Sequence, residues 1–351
     1  MPLQPLATMG PSIAVIVPNW NDARHLPRCL RSVLDQESPP DELIVVDDAS
    51  TDDSVEIIKS LIGGNPRARL FENAVNQGTN RTINASLERV RSEYVLLLSA
   101  NDFVLPGIFS RAKACLARFP GAGLWSAMSW LVDEADRTIR LHPSPVVALT
   151  DTFLQPERCA RLAYHVGNWF TGPTAIYHRD TLQSVGGFDP AYGAPSDFFA
   201  ASTVASLRGA AYSPEPLAGF RIHGGSYSDR ALNEIEGLDV MLAHLRARGP
   251  QLSPNLFSNR FCERISSRYR FAAVRASGGT LISPVAAREG GWKRAALGVL
   301  DRSIPQRLRY VRVGLAFLIL RPFDIWPTLV NRVLGWAIVR LRLLLRGEGP
   351  P

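Results

Sequence analysis

Five apolar residues in succession, Tyr-Val-Leu-Leu-Leu at 94–98, run straight into Ser99, Ala100, Asn101 and Asp102. A run this short and this apolar, closed by polar turn residues, predicts a strand buried on both faces in the middle of a parallel sheet. The same unit occurs twice upstream. Residues 13–17 end at Pro18, Asn19, Trp20, Asn21 and Asp22, and residues 43–46 end at Asp47, Asp48, Ala49 and Ser50. Between these runs, Leu26, Cys29, Leu30, Val33 and Leu34, then Val55, Ile58, Leu61 and Ile62, fall at helical spacing. Residues 68–71 read as a further strand, 76–80 as a loop and 82–90 as a helix. Strands alternating with helices predict a doubly wound, mostly parallel sheet with right-handed crossovers.

In such a sheet the strand ends lie on one edge, where open α/β folds bind ligands. Asn21, Asp48, Asn84 and Asp102 come from separate βα units and are expected to converge there. No G-x-G-x-x-G follows the first strand and no G-x-x-x-x-G-K-S/T occurs, which removes support for dinucleotide and P-loop readings. Aspartate and asparagine at this edge suit hydrogen bonds to a base and ribose, with a divalent cation on the phosphates. The plainer role for Asp102 is a helix cap.

The runs Ile-Val-Pro-Asn-Trp-Asn-Asp, Ile-Val-Val-Asp-Asp-Ala-Ser-Thr-Asp, Asn-Gln-Gly-Thr-Asn-Arg-Thr-Ile-Asn and Leu-Leu-Ser-Ala-Asn-Asp, in this order, resemble the nucleotide-binding half of the family-two inverting glycosyltransferases. Gly186-Gly187-Phe188-Asp189 and Arg221-Ile222-His223 extend the resemblance over roughly 12–230. It implies a GT-A fold, with Pro18 and Trp20 bordering the nucleobase, Asn21 beside them, Asp48 on the base or ribose and Asn84 facing the donor. Asp102 matches the metal-ligating aspartate of the family, and Mn2+ or Mg2+ is the implied cofactor. Asn101 offers an amide oxygen beside it, while His223 is a candidate second metal ligand and Arg221 a candidate diphosphate clamp. Ser99 and Asn101 stand where many members are acidic, a loss of charge that weakens a metal site.

The reaction so implied is inverting transfer of a sugar from a nucleoside diphosphate, with a UDP-sugar expected, to an acceptor hydroxyl in glycan or glycolipid assembly. It needs one carboxylate to take the hydroxyl proton. By resemblance that base is Asp197, although the glutamate usual before it is Ser196 here. Asp189 is the rival carboxylate, and its Gly-Gly-Phe-Asp turn favours a backbone-bonding role instead. Trp169 offers a face for a sugar ring or fills the core, and Gly172 lets a sugar approach the backbone. Residues 133–136 read as a solvated hairpin tip and 142–156 as loop.

Charge divides the chain. Residues 241–351 carry 19 Lys and Arg against 5 Asp and Glu, whereas the first 240 residues are net acidic. Residues 1–235 are therefore read as the catalytic domain and 236–351 as a basic, amphipathic helical extension. From 329 to 345 leucines and valines occupy one half of a helical wheel and arginines much of the other, the pattern of a helix lying on anionic lipid or packed on its own domain. Apolar residues interleaved at core-forming spacing argue against nucleic acid as partner. Four scattered cysteines, no apparent leader and no long apolar run lead us to expect a cytoplasmic protein with peripheral contact to the inner membrane face. The expected acceptor is a carbohydrate or a lipid-linked glycan. Two rival classes are a nucleotide-sugar-binding protein that has lost catalysis and a membrane-surface scaffold.

Overall fold

The first strand, β1 (Ile13–Asn19), is buried at every position but Pro18 because its side chains serve two cores in alternation. Ile13, Val15 and Val17 face one cluster, while Ala14 and Ile16 face the other. Strands β2 (Glu42–Asp47) and β4 (Tyr94–Leu97) flank it in parallel, and β3 (Ala68–Glu72) pairs with β2. This computed structural model describes residues 10–222, 235–324 and 335–345.

The sheet holds ten strands, ordered β3-β2-β1-β4-β9-β6-β10-β5, with β7 and β8 off that path. Here β5 is Phe103–Val104, β6 Leu124–Val132, β7 Thr138–Leu141, β8 Thr152–Leu154, β9 Ile176–His178 and β10 Ala210–Arg221. Strand β9 runs antiparallel to both β4 and β6, so the sheet is mixed beyond its parallel half. Pro216 lies at two register shifts in β10, where a missing N–H is tolerated.

Helices α1 (Leu26–Leu34), α2 (Ser54–Ile62) and α4 (Ile108–Arg118) cover one face through Cys29, Ile58 and Phe109. The other face carries α3 (Thr79–Leu87), α5 (Pro156–His165), α6 (Arg179–Ser184) and α7 (Ser196–Arg208). The expected loop at 142–156 is interrupted by β8, and the 133–136 tip joins β6 to β7.

The remaining helices are α8 (Ile235–Leu252), α9 (Asn259–Ala276), α10 (Ile282–Arg288), α11 (Gly291–Ser303), α12 (Arg309–Leu320) and α13 (Gly335–Leu345). The core does not break at 235. Leu242, Leu245, Phe257, Phe261 and Ile265 join the cluster of α7 and β6, while α10 to α12 pack around a smaller one. Val339 and Leu343 of α13 are also buried in the main cluster, whereas Leu341, Leu344 and Leu345 are exposed. Among the described residues, no helix is long and apolar enough to cross a membrane.

Candidate active site

Register brings the ends of β1 and β2 side by side, with Asn19 opposite Asp47. The Asn19 amide donates to Asp47 at 2.8 Å and to the Ser50 hydroxyl at 3.2 Å. Asn21 takes a left-handed backbone, φ 54°, which asparagine tolerates, and accepts the Thr51 N–H at 2.7 Å. These bonds fix the two turns as one unit. Trp20 projects from it 51% exposed, and Pro18 is partly buried beside it, so an aromatic face is open at this edge.

Asp48 is buried and accepts three hydrogen bonds. Its Oδ1 takes Asn73 Nδ2 at 2.7 Å and the Gln77 N–H at 3.0 Å, and its Oδ2 takes the Gly78 N–H at 2.9 Å. Gly78 holds φ +84°, so it presents its N–H at a backbone conformation that a side chain would strain. Asp48 therefore anchors the loop that starts α3, whatever further contact it makes with a ligand.

Asp102 is buried in the turn after β4, where Oδ1 accepts the Arg221 N–H at 2.8 Å. Burial pushes its carboxyl up to about 7. The Arg221 N–H and guanidinium oppose that rise, and nearby Asp22 adds to it. Arg221, expected as a fork for diphosphate, is buried and occupied: its guanidinium donates to the carbonyls of Asn101 and Asp133, each at 2.8 Å, and pairs with Asp136. The 133–136 tip is thus clamped to the Asp102 turn rather than simply solvated.

Among the described residues no three His, Cys, Asp or Glu cluster as a cation cage. His223 lies outside the described residues. Asp102 nonetheless suits a divalent cation, because burial leaves its negative charge under-compensated and Oδ2 has no hydrogen-bond partner among the described residues. It would hold the ion with the neighbouring Asn101 amide oxygen.

Asn84 does not join this edge. It lies inside α3, and its amide grips the Phe188 backbone from both sides, Nδ2 to the carbonyl at 2.9 Å and Oδ1 from the N–H at 2.8 Å. Gly187, at φ +68°, is required there, since a Cβ would stand 2.3 Å from Asn84 Oδ1. Beyond it, Asp189 caps a 3-10 turn by accepting the Ala191 N–H at 2.9 Å, in line with the backbone role expected of it, and meets His244 of α8 at 2.7 Å.

Asp197 sits in the first turn of α7 on the wall of a cavity of about 850 Å³. Its Oδ1 accepts the Phe198 N–H at 2.6 Å, yet burial holds its carboxyl up at about 6. Phe170, Thr171 and Gly172 line the cavity from the sheet side, and Arg268, Tyr269 and Arg321 line it from the extension. Trp169 does not: it is 1% exposed in the core, against Phe170. A Cβ on Gly172 would meet nothing within 4 Å, so the cavity reaches the backbone there.

Sequence reading missed the link between the two regions. Asn80, two residues beyond Gly78, donates to the Gly193 carbonyl at 3.2 Å and accepts the Ser196 hydroxyl at 2.9 Å. One short helix thereby spans from Asp48 to the residue before Asp197. The run of 76–80 was visible as a polar loop, but its partner at Ser196 is more than a hundred residues away in sequence.

Residues 14–117 match the model of glycosyl transferase family 2. An uncharacterized glycosyltransferase of Nostoc is 30% identical over 218 residues, covering 61% of this chain and 66% of that protein. The chain spans less than two thirds of the length of the curated relatives it matches first. S. aureus TarS 1-349, solved with UDP-GlcNAc, superposes with a TM-score of 0.58 at 17% identity, over 96% of this chain and 92% of that one. The mannosyltransferase PcManGT of Pyrobaculum calidifontis, solved with GDP-Man and Mn2+, gives 0.53 at 19% identity over 91% and 88%. Mixed sheet, strand-end turns and these likenesses agree: residues 14–117 match glycosyl transferase family 2, and the chain is built on the GT-A fold.

Proposed function

We propose that the chain transfers a sugar, with inversion, from a nucleoside diphosphate donor to an acceptor hydroxyl in glycan or glycolipid assembly. The observation that carries this is Asp197, a carboxylate held at about 6 by burial on the wall of a large cavity, tied through Ser196, Asn80 and α3 to the strand-end turns. The donor base and ribose lie against Trp20, Pro18, Asn21 and Asp48, and the acceptor enters the cavity. Asp197 takes the acceptor proton while that oxygen attacks the anomeric carbon from the face opposite the diphosphate. The bond to the diphosphate oxygen breaks in the same step, and both its electrons leave with the diphosphate. When bound at Asp102 and Asn101, Mn2+ or Mg2+ supplies positive charge to that leaving group. Arg221 holds the Asp102 turn in place from behind.

UDP is the favoured nucleotide, since the TarS neighbour was solved with UDP-GlcNAc. A catalytically silent binding protein is not favoured. Ser196, which raised it together with Ser99 and Asn101, has a positioning role on Asn80, and the carboxylate next to it is kept. We further propose peripheral membrane contact through the exposed faces of α12 and α13, where Tyr310, Leu315, Leu318, Leu341, Leu344 and Leu345 meet solvent. The deciding experiment offers UDP-sugars to the purified chain with and without Mn2+ and follows UDP release. Metal-dependent release from at least one sugar is the expected result, and none from any UDP-sugar would sink the reading of a UDP-sugar transferase.

A further inference from the structure

A second cavity, of about 350 Å³, opens among α9, the start of α11 and the turn at Pro322–Asp324. Six of its lining side chains are basic and three acidic, and two of the acids, Asp324 and Glu289, are paired with arginines. Asp324 is gripped by Arg264 at 2.5 Å, Arg268 at 2.9 Å and Arg321 at 2.7 Å. Burial alone would raise the Asp324 carboxyl, but the hydrogen bonds and charge of Arg268 and Arg321 hold it well below the usual range. Glu289 receives Arg270 at 3.0 Å. Arg246 and Arg260 are exposed at this cavity and have no ionic or hydrogen-bond partner among the described residues.

Two further groups in the lining are unsatisfied. Ser266 is 4% exposed and its hydroxyl has no partner, and the Arg270 Nε is buried without one. Such donors, left unpaired, carry a desolvation penalty that nothing offsets. A water would satisfy the hydroxyl but leave the excess positive charge. An anion with several acceptor oxygens answers both.

Arg321 borders this cavity and also the one that holds Asp197. The three arginines around Asp324 are thus the partition between the two, and a molecule passing Arg321 carries its far end into the cationic cavity. We propose that the second cavity holds a phosphate group carried by the acceptor. This rests on the transferase reading above for the word acceptor; the phosphate site itself does not.

The test measures binding of glucose 1-phosphate and of monomeric dihexanoyl phosphatidate to the full chain in metal-free buffer, with glucose and dihexanoylglycerol as uncharged controls. Phosphate compounds should bind and the controls should not. Tighter sugar phosphate assigns the group to a glycan and tighter phosphatidate to a lipid, and either supports the site. The Arg246→Ala/Arg260→Ala variant should lose at least about tenfold in affinity, the worth of one charge-assisted hydrogen bond. Ser266→Ala, which alters no charge, should lose about threefold or more. No phosphate binding, binding by both variants as tight as by the parent, or a loss confined to the arginine variant would overturn the site, the last because diffuse surface charge would explain it. UDP affinity in Mn2+ is read separately on the same proteins and should not change. Its absence from the unaltered chain would defeat the transferase reading and leave the phosphate result standing.

Discussion

Ser196 donates its hydroxyl to Asn80 Oδ1 at 2.9 Å, and that bond ties the turn before Asp197 to the start of α3. The other end of the same short segment is the Gly78 N–H held by Asp48. Nucleotide-side and acceptor-side residues are therefore positioned by one element. Ser196→Ala should lower kcat by about three- to tenfold, the net worth of a neutral hydrogen bond, with UDP affinity in Mn2+ unchanged. Steady-state kinetics with a donor titration check this split. An equal loss in UDP binding would show that the bond does something other than position the base.

Asp197→Asn keeps an oxygen for the Phe198 N–H and removes the proton acceptor. Transfer should fall by about two to four orders of magnitude, measured in single turnover, with donor binding intact. In the unaltered enzyme kcat/KM should rise with pH and level off above about 6, where Asp197 is ionised.

The same carboxyl predicts a stability difference. Its folded value, about 6, exceeds the ordinary 3.8, so the folded state keeps a proton that the unfolded chain has released. Stability from this group is complete below about 4 and is lost as pH rises through 6. Asp197→Asn should accordingly melt higher than the parent at pH 7 to 8, and the two should converge near pH 4. Scanning calorimetry across that range is the check, and a variant that melts lower at neutral pH would contradict the burial argument.

At the cation site, Asp102→Ala should abolish Mn2+-dependent UDP binding, while Asn101→Ala should weaken it. Calorimetry with and without Mn2+ separates the two. Unchanged UDP affinity in Mn2+ for the Asp102 variant would move the site elsewhere.

Gly187→Ala should destabilise the fold by about 2–3 kcal/mol, from a left-handed backbone and the contact with Asn84. Asn84→Ala, which orphans both backbone groups of Phe188, should cost a similar amount. Denaturant melts of the double variant should show less than the sum, because both changes open the same clasp.

The parallel half of the sheet was legible because each of its strands is a short apolar run closed by polar residues, and such runs admit few alternatives. The strand-end positions of Asp48, Asp102 and Trp20 followed, since strand ends have fixed places. Asn84 was misplaced because its spacing marks a helix position, and only the fold reveals that the helix turns it toward Phe188. Arg221 was expected as an open cation because sequence carries no trace of the Asp133 and Asn101 carbonyls that enclose it. The tail was half legible. Its wheel has apolar residues on both the buried side, Val339 and Leu343, and the exposed side, Leu341 and Leu344.

That division alters how membrane contact is tested. Removing 304–351 would strip Asp324 from three arginines and unseal the core at Val339, so loss of binding would report unfolding. Leu341→Glu/Leu344→Glu/Leu345→Glu touches only exposed positions. It should release the chain from anionic vesicles at low salt while the melting temperature holds, because each buried leucine contributes about 1.5–3 kcal/mol that salt does not screen. Failure of the parent chain to sediment with vesicles would end the membrane proposal.

The cavity wall that α8 and α9 share with α7 bears on how such chains diversify. On the proposed function, a lineage that conserves the turns after β1, β2 and β4 while redrawing the helices beyond 235 would keep the sugar it transfers and change the molecule that receives it. Recombination would respect that seam only if the incoming helices brought their own counterparts to His244, Arg268 and Arg321. Exchanged without them, the graft would leave Asp189 without its histidine and Asp197 facing open solvent.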